Sequence, residues 1–494
     1  MLILVGTDAG ASRRLSFLAQ LTIIILNIMQ LGEFCETVHS AIHMSPSIDI
    51  IRKYNVPGPR YTGYPTAPFW DPGEFDSANW KRLLATSFAE SNAEGISLYI
   101  HLPFCENMCT FCACEKCVTR DHAVENTYIR TVLAEWKMYC RLLGEKPRIR
   151  ELHLGGGTPT FFSAKHLEDL INGIFCLADR APDAEFSFEG HPNNTTREHL
   201  QTLFALGFRR VSFGVQDYSQ KVQKAINRIQ PLCNVARVTL WAREFGYHSV
   251  SHDVVFGLPF QNLDDITDTI EKTISMRPDR LAFYSYSHVP WHRSDGRRGF
   301  ADADVPQGEF KRRLYETGRE ILRQNGYHEV GMDHFALKSD SLYKAYAECS
   351  MHRNFMGYCA SGTRLTIGLG VSAIGDSWYA FGQNAGNLED YYQLVEWGQF
   401  PVINGHILTP EDLAVRRCIL DIMCRFETAI PDCLPADAIL RRLREPEVDS
   451  LVEIIGSRIR VTEKGKPLVR NICMAFDLRM HRAMPDAPLF SMDA

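Results

Sequence analysis

Six apolar, strand-like runs separated by helical patterns constrain this 494-residue chain more than any other feature. The runs fall at 96–102, 149–154, 185–189, 210–215, 249–256 and 280–286. Between them Val124, Tyr128, Val132, Trp136, Cys140 and Leu143 recur on one helical face. Leu167, Leu170, Ile171 and Ile174 do the same, as do Leu263, Ile266, Ile270 and Ile274. Thr195 and Glu198 read as a capping box, with Gly207 closing that helix. Strand–helix repetition gives parallel strands with helical crossovers. Six units fit a partial, six-stranded (β/α)6 barrel better than a closed eight-stranded one. In such barrels chemistry gathers at the C-terminal strand ends.

Each predicted strand end carries unusual residues. After the first comes Tyr99 to Cys117, YIHLPFCENMCTFCACEKC, with Cys105, Cys109 and Cys112 spaced C-x3-C-x2-C. Soft thiolates in one loop suit an iron–sulfur centre or zinc. A structural zinc site wants four protein ligands, whereas three on a four-iron cube leave one iron open. Cys114 and Cys117 are spare ligands or packing residues. After the second strand comes GGGTPT, 155–160. Its glycines permit close approach to a ligand or make a tight turn, and without the Walker lysine phosphate is not its ligand. Glu189 ends the third strand and suits ribose hydroxyls or an ion pair. Gln216 and Arg228 follow the fourth. Asp253 lies inside an apolar run and needs a partner, because a buried unpaired charge is costly. Ser287 and His288 end the sixth.

The cysteine spacing, with Phe111 before the last thiol, resembles the radical S-adenosylmethionine (SAM) enzymes. The wider set is closer still: PGPRYTGYP, YIHLPFCENMCTFCAC, LHLGGGTPT, SFGVQD, NRIQ, DVVFGLP, GMDHFA, MHRNFMGY and RNICM resemble the oxygen-independent coproporphyrinogen III oxidases. That resemblance implies oxidative decarboxylation of two propionates of coproporphyrinogen III to vinyl groups, giving protoporphyrinogen IX. It implies a [4Fe-4S] cluster on Cys105, Cys109 and Cys112, and two SAM molecules per chain. Tyr99, Gly156, Glu189 and Ile374 would contact the first SAM. Phe111, Gly157, Thr158, Gln216, Arg228, Asp253 and Ser287 would line the second. Gly190 and His191 depart from the family, which continues V-D-P there. The family chemistry runs through a 5′-deoxyadenosyl radical that takes a hydrogen from the propionate β-carbon. Loss of CO2 and one further electron then leaves the vinyl group. A tetracarboxylate substrate needs cations, for which Arg60, Arg293, Arg353 and Arg470 are candidates. A related radical-SAM methylase, cyclase or heme-degrading enzyme, and a non-enzymatic heme carrier, are the alternatives. Cys114 and the RNICM tail favour the oxidase.

The net charge of −6 leaves no footprint for nucleic acid. Fifteen cysteines in a chain too large to need disulfide staples favour a reducing cytoplasm. Residues 1–43 carry a Leu- and Ile-rich run after Arg13 and Arg14, too interrupted for stable membrane insertion; they read as a non-native extension before Met44. The expected organisation is an N-terminal arm at 44–92, the barrel at 93–300, a barrel-completing region at 301–400 and a mainly helical C-terminal region at 401–494. In the arm, Arg60, Tyr61 and Tyr64 reach the substrate or pin the arm by packing. Thr409-Pro410-Glu411-Asp412 predicts a helix start, with a short strand at 457–461. A monomer served by an electron donor such as flavodoxin or ferredoxin completes the expectation.

Overall fold

Six parallel strands form the centre of the molecule in a computed structural model that describes residues 47–288, 299–483 and 490. They are β1 (Ile96–Leu102), β2 (Arg148–Gly156), β3 (Asp179–Gly190), β4 (Arg210–Gln216), β5 (Ser249–Phe256) and β6 (Arg280–Ser285), each paired with the next in sequence order. This is the partial (β/α)6 barrel expected. The readings of residues 1–43 and of Arg293 lie outside the described residues.

The helices follow from the apolar spacing. They are α1 (Val124–Leu143), α2 (Ala164–Phe175), α3 (Arg197–Ala205), α4 (Leu232–Phe245) and α5 (Leu263–Ser275). Tyr128, Val132 and Trp136 of α1 are fully buried against Leu98, Ile100 and Leu102 of β1. Each such side chain contributes roughly 1.5–3 kcal/mol, far more than helix propensity supplies, so packing selects the buried face. Trp136 Nε1 also donates to Ile174 O of α2 at 3.1 Å. The predicted start of α3 is off by one residue. Thr196, not Thr195, caps it, in a capping box closed by His199. The Thr195 hydroxyl is taken by His191 O and Thr160 Oγ1 instead, at 2.9 and 3.2 Å.

The sheet does not stop at six strands. On the β6 side it adds β7 (His328–Glu329) and β8 (His334–Ala336), with β8 antiparallel to β6. On the β1 side it adds β9 (Thr366–Leu369), β10 (Ile374–Asp376), β11 (Ala380–Asn384) and β12 (Val402–Ile407). Only β9 among these runs parallel to its barrel neighbour, β1. Short strands with mixed polarity give weak period-2 signals, which is why the sequence did not reveal them.

Helix α6 (Pro410–Arg425) begins where predicted, with Thr409 and Asp412 forming a capping box. Among the described residues after α6, the C-terminal region carries helices and a three-stranded sheet of Glu427–Ala429, Arg458–Val461 and Val452–Ile455, of which only the middle strand was anticipated. Among the described residues no helix is long and apolar enough to cross a membrane.

Candidate active site

The cysteine loop leaves β1 and is closed on itself. Phe104 and Cys105 pair in parallel with Cys117 and Val118, so Cys117 has a structural role. Lys116 Nζ donates to the carbonyls of Cys112 and Cys114 at 2.9 and 3.2 Å. The loop is docked on the segment after β4. Thr110 N donates to Ile226 O at 3.1 Å, and Asn227 Nδ2 donates to Met108 O at 2.7 Å. Every described cysteine is a free thiol. Burial pushes the Cys105 thiol up to about 11, against a hydrogen bond with Thr158 Oγ1 at 3.2 Å. The Cys112–Cys114 hydrogen bond pulls Cys112 down and raises Cys114, with Lys116 and Arg228 adding to the effect on Cys112.

The strand ends open into a cavity of about 630 Å³, within the range of small-molecule sites. Cys105, Cys109, Cys112, Phe111, Gly156, Gly157, Thr158, Glu189, Gln216, Arg228, Asp253 and Ser287 all line it. Gly157 is required by the protein itself. A Cβ there would lie 2.4 Å from Pro103 O and 3.1 Å from Cys105 Sγ, so the bare backbone lets β2 abut the cysteine loop. Glu189 is backed by His153, whose Nε2 stands 3.3 Å from Oε1 and whose Nδ1 meets Ser187 Oγ at 2.8 Å. Gln216 has φ 68, an uncommon conformation for a residue other than glycine and one that clusters at functional sites. Asp253 finds its partner in a hydroxyl: Ser212 Oγ donates to it at 2.7 Å. Burial raises the carboxyl to about 7 despite that bond. Arg228 donates to Gly214 O at 2.7 Å and to Cys109 Sγ at 3.6 Å, while its buried Nε has no partner.

Two predicted contacts are not on the cavity wall. Tyr99 lies three residues before the end of β1, one layer below the mouth, stacked on His153 and edge-on to Phe355. Ile374 sits on β10, beyond β9, with its carbonyl against Gly368. The departure at Gly190 has a local cause. A Cβ there would come within 2.9 Å of the Phe213 ring. His191 lines the cavity and is held neutral, by burial first and then by Arg228.

The arm divides its roles. Tyr61 and Tyr64 are buried among α6 and the C-terminal helices, and Tyr61 Oη donates to Asp477 at 3.0 Å. Arg353 and Arg470 donate to arm carbonyls, Arg353 to Arg60 O and Tyr61 O and Arg470 to Pro59 O and Gly58 O. They hold the arm, and neither lines the cavity. Arg60 alone of the three lines the cavity. Lys116, Asn227 and Tyr284 were missed as cavity residues. Lys116 lies in the quoted thiol-loop stretch, Asn227 in the NRIQ motif and Tyr284 in the sixth strand-like run, but spacing did not mark any of the three as a wall residue.

The donor set fits the expected cluster and SAM. Three separate free thiols and an arginine that donates to one of them line one space. Among the described residues no three His, Cys, Asp or Glu side chains stand as a single-ion site. The pattern of the Radical SAM superfamily matches residues 99–273. The chain is 35% identical over 442 residues to an oxygen-independent coproporphyrinogen III oxidase of Pseudomonas aeruginosa, covering 87% of this chain and 95% of the relative. It is 34% identical over 439 residues to the protein of that name from Escherichia coli, covering 87% and 94%. The solved coproporphyrinogen III oxidase HemN from Escherichia coli, described as a radical SAM enzyme, superposes with a TM-score of 0.82 at 33% identity, covering 88% of this chain and 99% of that one. With its thiol loop, glycine turn and strand-end carboxylates lining one cavity, and with that similarity over nearly the whole length of its relatives, this chain belongs to the oxygen-independent coproporphyrinogen III oxidases of the radical SAM superfamily.

Proposed function

We propose that this enzyme converts two propionate side chains of coproporphyrinogen III to vinyl groups with loss of CO2, giving protoporphyrinogen IX in heme and porphyrin biosynthesis. The observation that carries the reading is the convergence on one cavity of the three thiols, Gly156–Gly157, Glu189 and the Gln216, Arg228 and Asp253 side chains. The near full-length similarity to the oxidases supports it.

When bound, a [4Fe-4S] cluster and SAM supply one electron and the means of hydrogen-atom abstraction. The chain supplies placement and exclusion of water. Cys105, Cys109 and Cys112 hold the cluster from a loop that the 104–105 and 117–118 ladder closes. Glu189, oriented by His153, holds ribose hydroxyls of a first SAM beside Gly156. Gln216, Arg228, Asp253 and Ser287, from later strands, hold a second SAM with Phe111, Gly157 and Thr158. No side chain acts as a general acid or base. The reading includes a monomer in the cytoplasm, served by a one-electron donor such as flavodoxin or ferredoxin; the free thiols suit that compartment.

The test is porphyrin product analysis on anaerobically reconstituted protein with SAM, a reductant and coproporphyrinogen III. Protoporphyrinogen IX with two CO2 per turnover is expected. A methylated, cyclised or unchanged tetrapyrrole overturns the reading.

A further inference from the structure

One cation on the cavity wall is left without an assigned role. Arg60 comes from the arm, 36 residues before β1, and enters the cavity beside the end of β6. Its backbone is fixed from both sides. Arg353 donates to Arg60 O and Tyr61 O, both at 3.3 Å, and Arg470 donates to Pro59 O at 3.1 Å and to Gly58 O. Four guanidinium–carbonyl bonds over four consecutive residues present one side chain to the cavity. That side chain donates to Ser285 O at 2.6 Å, a neutral acceptor, and its buried Nε has no hydrogen-bond partner.

The surroundings favour an anion. Arg60, Arg353 and Arg470 all act on one buried carboxyl, Asp333. Burial, Arg470 and Arg353 press on the charge of Arg60, and Asp333 offsets them. A buried cation under that pressure gains when a carboxylate arrives beside it in the cavity.

Resting on the functional reading above, we propose that Arg60 binds a carboxylate in this cavity, namely a propionate of the porphyrinogen. The amino-acid carboxylate of a SAM molecule is the other source of the same chemistry. The position and the neighbouring cation favour the propionate. Arg60 stands at β6, across the strand order from the thiols on the β1 loop, where the first SAM is placed, and the second SAM, assigned to Ser287 at the same strand end, has Arg228 for its carboxylate. A macrocycle with four acid arms needs anchoring far from the reacting carbon as well as near it.

The experiment uses anaerobically reconstituted wild type, Arg60→Gln and Arg60→Lys, each checked by cluster absorbance. Equilibrium dialysis measures binding of coproporphyrinogen III and of its tetramethyl ester, and radiolabelled SAM is dialysed in parallel. Arg60→Gln is expected to weaken the tetra-acid roughly 10- to 100-fold, the worth of a charge-assisted bond, and to leave the ester and SAM unchanged. Arg60→Lys keeps the charge but not the fork, and shows the same selective loss in smaller degree; it decides alone if the Gln variant does not assemble. Wild-type affinity for the tetra-acid in the variants overturns the proposal. So does equal loss of acid and ester, which marks packing, or loss of SAM alone. Wild-type protein that forms no vinyl product overturns the functional reading instead, and this assignment with it.

Discussion

Arg228 Nη1 donates to Cys109 Sγ across 3.6 Å, tying the segment after β4 to the thiol loop of β1. These residues are 119 positions apart, and the contact gives Arg228 a place beside a proposed cluster ligand as well as on the wall proposed to hold a second SAM. Hydrogen bonds and charge at ligand sulfurs raise cluster potentials. Arg228→Ala is therefore expected to keep the iron but lower the reduction potential. A charge-assisted bond of about 1.5 kcal/mol corresponds to roughly 60 mV for one electron. Radiolabelled SAM binding falls from two per chain to one on the same sample. Potentiometry with an unchanged midpoint, or two SAM bound by the variant, argues against this role.

The three thiols predict the metal. Anaerobic reconstitution yields about four irons per chain, and Cys109→Ala abolishes the cluster absorbance. Stoichiometric zinc in place of iron in the wild type is the contrary result.

Gly157→Ala tests the abutment of β2 on the thiol loop. A methyl group 2.4 Å from Pro103 O forces backbone to move, and side-chain adjustment cannot relieve it. The chain is expected to fold, judged by far-UV circular dichroism, but to hold well under half the wild-type iron. Full iron content in the variant removes the steric role.

Asp253 sets a pH dependence. Burial raises its carboxyl to about 7, Glu189 raises it further, and Ser212 and Arg228 work against that. The unfolded chain releases this proton near 4, so between about 4 and 7 only the folded state holds it. The Asp253 contribution is complete below the unfolded value and lost as pH rises through about 7, on the order of 3–4 kcal/mol. Asp253→Asn lacks this loss. Its thermal midpoint gains on that of the wild type from pH 5 to pH 8, and a constant difference over that range contradicts the assignment.

Arg353→Ala and Arg470→Ala each remove two carbonyl bonds from residues 58–61. Bonds to charged groups contribute about 1.5–3 kcal/mol each, so the arm loosens before the barrel does. Hydrogen exchange in 58–64 rises, KM for the porphyrinogen rises, and SAM cleavage without substrate persists. Unchanged exchange in the arm counts against the clamp.

Local pattern carried most of the central fold. The periods of β1 to β6 and of α1, α2 and α5 depend only on neighbours in the chain, and the thiol spacing is a property of one loop. The C-terminal strand-end rule then brought Glu189, Gln216, Arg228 and Asp253 to one mouth from the sequence alone. Depth was not legible. Tyr99 shares β1 with that mouth, yet three residues of rise place it a layer lower.

Long-range competition decided the rest. Nothing near Arg353 or Arg470 in sequence announces carbonyl partners 292 and 411 residues away, so substrate cation and arm clamp looked alike. By pattern Thr195, with Glu198 three residues on, is a better cap than Thr196. Thr160, 35 residues from Thr195, takes one hydroxyl and leaves the other for the helix. The short strand β9 finds its register only against the free edge of β1. Sequence determined the elements and the chemistry at their ends, because both are written in spacing. Tertiary structure alone decided which of Arg60, Arg353 and Arg470 reaches the cavity, because backbone carbonyls and carboxylates compete for guanidinium groups, and only packing brings one or the other within reach.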